Sequence, residues 1–251
     1  MKTLVWERRK GISWITLNRP EIRNAVNYDM MDELSTVLTE IENTNDQLLV
    51  ITGSGERAFC SGGDLTLFHS LHSEQEAYAM LSKMGSVLKQ LFLFKKPTVA
   101  LLNGAAVGGG CELATACDFR IAKRGVKFGF VQGTLGITTG WGGGTMLYER
   151  ITPTLALHYL LSSQLISSEK GFEEGFIHFL IEEGDLKEQC EKILTPYLNQ
   201  SNDVLSAYKQ MWLQRLHRSK VLGNIEKEIK TCAKLWESDE HHDAVQKFLN
   251  K

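Results

Sequence analysis

Three features of the sequence predict a mixed α/β fold. Runs of β-forming residues alternate with amphipathic helical stretches through the first half, two glycine-rich loops follow buried apolar runs, and from Thr154 onward the pattern is mostly helical. With 251 residues, 43% hydrophobic and 23% charged, the chain can bury one large core. No tandem repeat, low-complexity tract or linker divides it, so it reads as a single domain, 1–251.

Leu4 to Arg8 and Ile12 to Leu17 are rich in β-formers and flank Arg9-Lys10-Gly11, which predicts a hairpin, closed by Asn18-Arg19-Pro20. Met30, Met31, Leu34, Val37, Leu38 and Ile41 recur at helical spacing, so an amphipathic helix follows. Leu48 to Thr52 reads as a buried strand, and Gly53 to Asp64 holds too many glycines for a helix or a strand. A long helix is expected from Ser73 to Phe94, with Ser73 and Glu76 in capping-box order and Lys96-Pro97 ending it. Thr98 to Leu102 is a second buried strand. Asn103 to Gly110 is a second glycine loop, Cys111 to Cys117 a helix of small residues, and Asp118 to Ala122 a third strand. A glycine cluster, Gly140 to Gly144, precedes another helical stretch. Amphipathic segments then cover Leu186 to Leu198, Val204 to Leu216, Val221 to Trp236 and Asp239 to Leu249.

Composition narrows the function. A formal charge of -2 and a pI near 6.4 leave no cationic excess to follow a phosphate backbone, so no nucleic-acid partner is expected. No apolar run approaches the roughly 20 residues of a membrane span, and the N-terminus lacks a signal peptide's apolar core. A cytoplasmic location without membrane attachment is expected. Cys60, Cys111, Cys117, Cys190 and Cys232 are odd in number and without CxxC spacing, which fits buried free thiols rather than disulfides or metal ligands. The neighbouring His241 and His242 sit on a helical pattern and are expected to be solvated, as is Glu149, while His69 and His72 either line an acyl pocket or lie at the surface.

The glycine loops carry the candidate chemistry. Glycine permits positive φ and lets a ligand approach the backbone with no Cβ in the way. The N–H groups of Gly109 and Gly110 fall at a predicted helix start, where unsatisfied donors favour an anion, although a run of three glycines serves equally as a structural turn. One N–H from each loop could converge on a single oxygen and stabilise a developing oxyanion. Neither loop matches the P-loop or the dinucleotide-binding pattern, which disfavours phosphate. Glu112, at the head of an otherwise small and apolar helix, is a candidate acid/base and equally a solvated glutamate at a helix start.

These residues resemble a known family. Gly104 to Ala122, reading GAAVGGGCELATACDFRIA, is similar to the signature of the enoyl-CoA hydratase/isomerase (crotonase) superfamily. Ala58 to Leu65, AFCSGGDL, resembles its other hallmark, and Leu17 to Pro20 with Asn24-Ala25 its N-terminal one. The resemblance implies a crotonase spiral of ββα units, over about 1–195, and a helical C-terminal trimerisation region, over about 196–251. It also implies a homotrimer or a hexamer made of two trimers. By the same resemblance, the N–H groups of Gly63 and Gly109 hold the thioester oxygen. Arg23, Ala25, Ala58, Ser61, Gly63, Asp64 and Leu65 lie along the coenzyme A, and Lys251 reaches its phosphates. Coenzyme A is then part of an acyl-CoA substrate, and neither a separate cofactor nor a metal is required.

Hydration of an enoyl thioester uses two carboxylates, one to take a proton from water and one to supply the α-proton. The first falls at Glu112. Aligning Phe128 and Gly136 without gaps puts Gln132 where the hydratases carry the second, and an amide cannot exchange a proton. Phe59 to Gly62, Glu112-Leu113, Thr115 to Arg120, Gly136-Ile137 and Trp141 to Gly143 resemble the branch that decarboxylates malonyl-type thioesters such as ethylmalonyl-CoA. The sequence therefore points to an acyl-CoA lyase. A single-glutamate decarboxylase and a non-catalytic CoA-binding scaffold stand as alternatives.

Overall fold

The computed structural model describes residues 1–250, so the proposed role of Lys251 lies outside the described residues. The chain opens with a hairpin, β1 (Leu4–Arg9) and β2 (Ile12–Leu17), paired antiparallel from Leu4 opposite Leu17 to Arg9 opposite Ile12. Its two-residue turn, Lys10 at φ 52° and Gly11 at φ 76°, has the positive dihedrals that match strand twist. Next come α1 (Tyr28–Glu42), β3 (Leu48–Gly53), β4 (Ala58–Cys60), the short α2 (Leu65–Phe68) and α3 (Glu74–Phe92). They are followed by β5 (Thr98–Leu102), β6 (Ala105–Val107), α4 (Gly109–Ala116), β7 (Phe119–Lys123) and β8 (Lys127–Gly129). After these lie α5 (Gly143–Tyr148), α6 (Pro153–Ser162), β9 (Ile166–Ser167), α7 (Ser168–Glu173) and β10 (Phe179–Ile181). The chain closes with α8 (Leu186–Leu198), α9 (Asn202–Arg215), α10 (Arg218–Trp236) and α11 (Asp239–Leu249).

The strands divide between two sheets, ordered β1-β2-β3-β5-β7-β10 and β4-β6-β8-β9. Strands β3, β5 and β7 enter the first, and each is followed at once by a partner, β4, β6 or β8, in the second. The paired strands and the helices after them wind as the expected spiral of ββα turns. Pairing within the spiral is parallel, and β3 is buried throughout, which accounts for its unbroken apolar run.

The second sheet is a correction to the sequence reading, which left both glycine loops without strands. Ala58–Cys60 and Ala105–Val107 form three-residue strands inside them, paired with one another. Small side chains let the backbones approach closely: a Cβ on Gly104 would stand 2.5 Å from the Ala58 nitrogen. The helix after the second loop also begins earlier than the small-residue run, at Gly109 rather than Cys111.

The main core joins both ends of the chain. Leu17, Met31, Met84 and Leu113 pack in the same cluster as Ile225, Ile229 and Trp236 of α10. A second cluster lies between Trp14, Val50 and Ile121 of the large sheet and Cys190 and Leu194 of α8. The expected boundary near 195 and 196 falls inside α8. All five cysteines are free and buried, as the sequence suggested. No helix among the described residues is long and apolar enough to cross a membrane, and no cluster of His, Cys, Asp and Glu there could hold a metal.

Candidate active site

Because β4 and β6 are parallel neighbours, the glycine loops leave their carboxyl ends side by side. Gly62 and Gly108 both take positive φ, 99° and 56°, turning the chain sharply out of each strand. The loops touch: a Cβ on Gly62 would lie 3.0 Å from the Gly109 nitrogen. The bridge between Val26 and Gly63 uses the Gly62 carbonyl and the Asp64 N–H, leaving the Gly63 N–H outside the pairing. Gly109 opens α4, so its N–H has no acceptor within the helix. The Trp141 indole lies against both glycines. A Cβ on Gly109 would fall 2.2 Å from its Cζ3, and one on Gly63 would fall 3.6 Å from its Cζ2.

A cavity of about 150 Å³ opens beside these glycines, with apolar walls that include Phe68, Leu81, Ile137, Trp141 and Trp236. Glu112 and Gln132 are its principal polar side chains. The Glu112 carboxylate is 2% exposed and accepts four hydrogen bonds. Gln132 Nε2 donates to its Oε1 at 2.9 Å and Gly140 N–H at 3.3 Å; the N–H groups of Trp141 and Gly143 donate to Oε2, both at 2.9 Å. These donors reach it because Gly143 has no side chain, and a Cβ there would overlap the Glu112 Cγ at 2.3 Å. Burial, and then the charge of Glu228, pushes the Glu112 carboxyl up to about 7 against the pull of those N–H groups. Gln132 is also buried, and its Oε1 has no partner among the described residues. Among the described residues Glu112 is the only carboxylate lining this cavity, and no histidine, lysine or arginine lines it. A larger cavity of about 560 Å³, beside Asp118 and Trp212, contains neither glycine loop.

The remaining candidates surround the first loop. Arg23 and Asn24 both take positive φ, 58° and 56°, and the Arg23 carbonyl accepts from Ser61 N–H at 3.1 Å. Asn24 Nδ2 donates to the carbonyls of Ser54 and Ala58, so the segments carrying Arg23, Ala25, Ala58 and Ser61 are tied together. The Arg23 side chain is exposed, while those of Ala25 and Ala58 are buried, leaving backbone as their available contact. Asp64 pairs with Arg19 at 2.9 Å and caps α2 before Leu65, so its carboxylate is already engaged in structure. His69 and His72 are exposed and absent from the cavity lining. His241 departs from expectation: it is 1% exposed, its ring stands 4.4 Å from that of Trp236, and its Nδ1 lies 2.7 Å from the Leu135 carbonyl. The helix carrying it lies on the turn after β8, and adjacency in sequence gives no sign of that contact. Glu228 carries no signal in the sequence for the same reason, since only the fold brings α10 against the glycine cluster.

The sequence model of the enoyl-CoA hydratase/isomerase family matches residues 7–251. The chain belongs to that family. Its relatives include the crotonyl-CoA hydratase of Syntrophomonas wolfei, 33% identical over 193 residues that cover 76% of this chain and 74% of that one. The ethylmalonyl-CoA decarboxylase of Xenopus tropicalis is 34% identical over 204 residues, covering 80% and 68%. A crystal structure of enoyl-CoA hydratase from Bacillus halodurans superposes with a TM-score of 0.88 at 24% identity, over 98% of this chain and 99% of the other, and establishes the crotonase fold. This member of the enoyl-CoA hydratase/isomerase family thus has both a hydratase and a decarboxylase at comparable similarity. The chemistry of its own site has to distinguish between them.

Proposed function

We propose that the protein binds an acyl-CoA thioester and stabilises its enolate, with decarboxylation of a malonyl-type acyl group as the reaction. The observation carrying this reading is the single carboxyl group of the cavity, Glu112, bonded to an amide where a hydratase needs a second carboxylate. The N–H groups of Gly63 and Gly109 receive the thioester oxygen. The bond to the leaving carboxylate breaks, CO₂ departs, and its electron pair passes into the enolate held by those two donors. Glu112, protonated near neutral pH, then gives its proton to the α-carbon and recovers one from solvent. Gln132 orients Glu112 by donating from its Nε2. Trp141 fixes the width of the pocket across both glycines. Backbone at Arg23, Ala25, Ala58, Ser61 and Leu65 supports the pantetheine and adenine, with Lys251 toward the phosphates. The working assembly is a trimer or a pair of trimers.

Hydration is the second reading, supported by the similarity to a crotonyl-CoA hydratase. Turnover of crotonyl-CoA and ethylmalonyl-CoA by the purified protein, followed in parallel by mass spectrometry with Glu112→Gln as control, separates the two. Glu112-dependent loss of CO₂ without hydration is expected. Rapid Glu112-dependent hydration would overturn the decarboxylase reading. Silence with both substrates, alongside measurable CoA binding, would favour the scaffold.

A further inference from the structure

The start of α5 is shared between two carboxylates from opposite sides. Glu112 of α4 takes the N–H groups of Gly140, Trp141 and Gly143. Glu228 of α10 takes the next two, Gly144 at 3.0 Å and Thr145 at 2.7 Å, together with the Thr145 hydroxyl at 2.6 Å. The adjacent glycines explain how both fit. A Cβ on Gly143 would overlap Glu112, and one on Gly144 would come 3.3 Å from Glu228 Oε1.

No cation among the described residues balances the pair. Among the described residues neither carboxylate enters a salt bridge, and no lysine, arginine or histidine lines the cavity on either side. The titratable groups facing them are Cys111 of α4, Cys232 of α10 and Tyr148 of α5. Both thiols are held neutral by burial, and Tyr148 lines the cavity beside Glu228. The positive end of one helix amounts to roughly half an elementary charge, too little for two buried anions. One proton therefore stays with the pair. Burial raises the Glu228 carboxyl as well, against the pull of its Thr145 and Gly144 donors, but Glu228 borders an open cavity of about 460 Å³ whereas Glu112 is enclosed, so water favours ionisation at Glu228.

We propose that Glu228 is a positioning residue for Glu112: its negative charge, held on the same helix start, keeps the proton on the carboxyl that faces the acyl cavity. The inference rests on the reading of Glu112 as proton donor, and its test reads the proton itself. The test is a difference infrared titration of the full chain, following the protonated-carboxyl band that disappears in Glu112→Gln. In Glu228→Gln the midpoint of that band is expected to fall by about one pH unit, while Glu228→Asp, which keeps the charge, holds it near the wild-type value. Thr145→Val, which removes a donor to ionised Glu228, shifts the midpoint the same way by less and decides the matter if Glu228→Gln does not fold. An unchanged midpoint in the charge-removing variants, or an equal fall in Glu228→Asp, would overturn the inference. Failure to turn over any acyl-CoA would instead overturn the reading of the reaction and leave this titration informative. Where turnover is found, the alkaline limb of its pH profile moves down with the band.

Discussion

In the proposed reaction Glu112 concentrates the chemistry because its side chain has one place to go: a buried nest of three N–H groups and one amide, beside two backbone donors with no partner among the described residues. A group that must be protonated to act loses function as pH rises through its pKa. The turnover rate is therefore expected to be flat below neutrality and to decline above about 7, as a pH–rate profile would show. Glu112→Gln removes the exchangeable proton and should lower kcat about 100- to 10,000-fold, with little change in affinity for the CoA portion. Gly109→Ala tests the approach of the indole. Its methyl collides with Trp141, so both activity and thermal midpoint should fall, and Trp141→Leu in the same chain should recover the midpoint.

Helix α4 links the residue to the frame. Its amino end faces the cavity lined by Gly109 and Glu112, and its carbonyl end is closed by two buried arginines. Arg120 donates to the Ala114 and Cys117 carbonyls, and Arg150 to those of Thr115 and Ala116. Cations there complement the dipole and satisfy carbonyls that water cannot reach. Arg150 is held between the rings of Phe92 and Trp212, at 4.7 and 4.4 Å, and with Lys209 it neutralises Asp118. Burial works to raise the Asp118 carboxyl, but the charges of Lys209 and Arg150 prevail and hold it below the ordinary value. A carboxylate depressed in this way contributes stability above its unfolded pKa, near 4, and loses it as pH falls below that. Lys209→Met should cost about 3 kcal/mol at neutral pH in urea unfolding, with a smaller difference from wild type in strong acid.

Across the molecule, α10 closes the site from the far end of the chain. Ile229 packs against Gly85 of α3 so closely that a Cβ there would lie 2.6 Å from its Cδ1, and Glu228 reaches the start of α5 from the next position. Ile229→Ala should destabilise the protein by about 2–5 kcal/mol, read from the urea midpoint. It should also loosen the cavity beside Glu112, read as a rise in KM for the proposed acyl-CoA substrate.

Much of the frame was legible in the sequence because its signals are local. The hairpin turn needs positive φ at Lys10 and Gly11, Ser73 and Glu76 form the capping box of α3, and the apolar period of α1 is that of its buried face. The two glycine loops and Glu112 were legible because their spacing is itself a motif. The three-residue strands β4 and β6 were not, since so short a strand exists only when a partner supplies its hydrogen bonds. Nor were the burial of His241 or the place of Glu228, whose side-chain hydrogen-bond partners lie 106 and 83 residues or more away in the chain. By itself the sequence determined the α/β class, the order of the main elements and the carboxyl group that lines one cavity with the two glycine loops. Only the tertiary structure decided what surrounds that carboxyl, because burial and a like charge from α10 act through space and leave no mark on spacing.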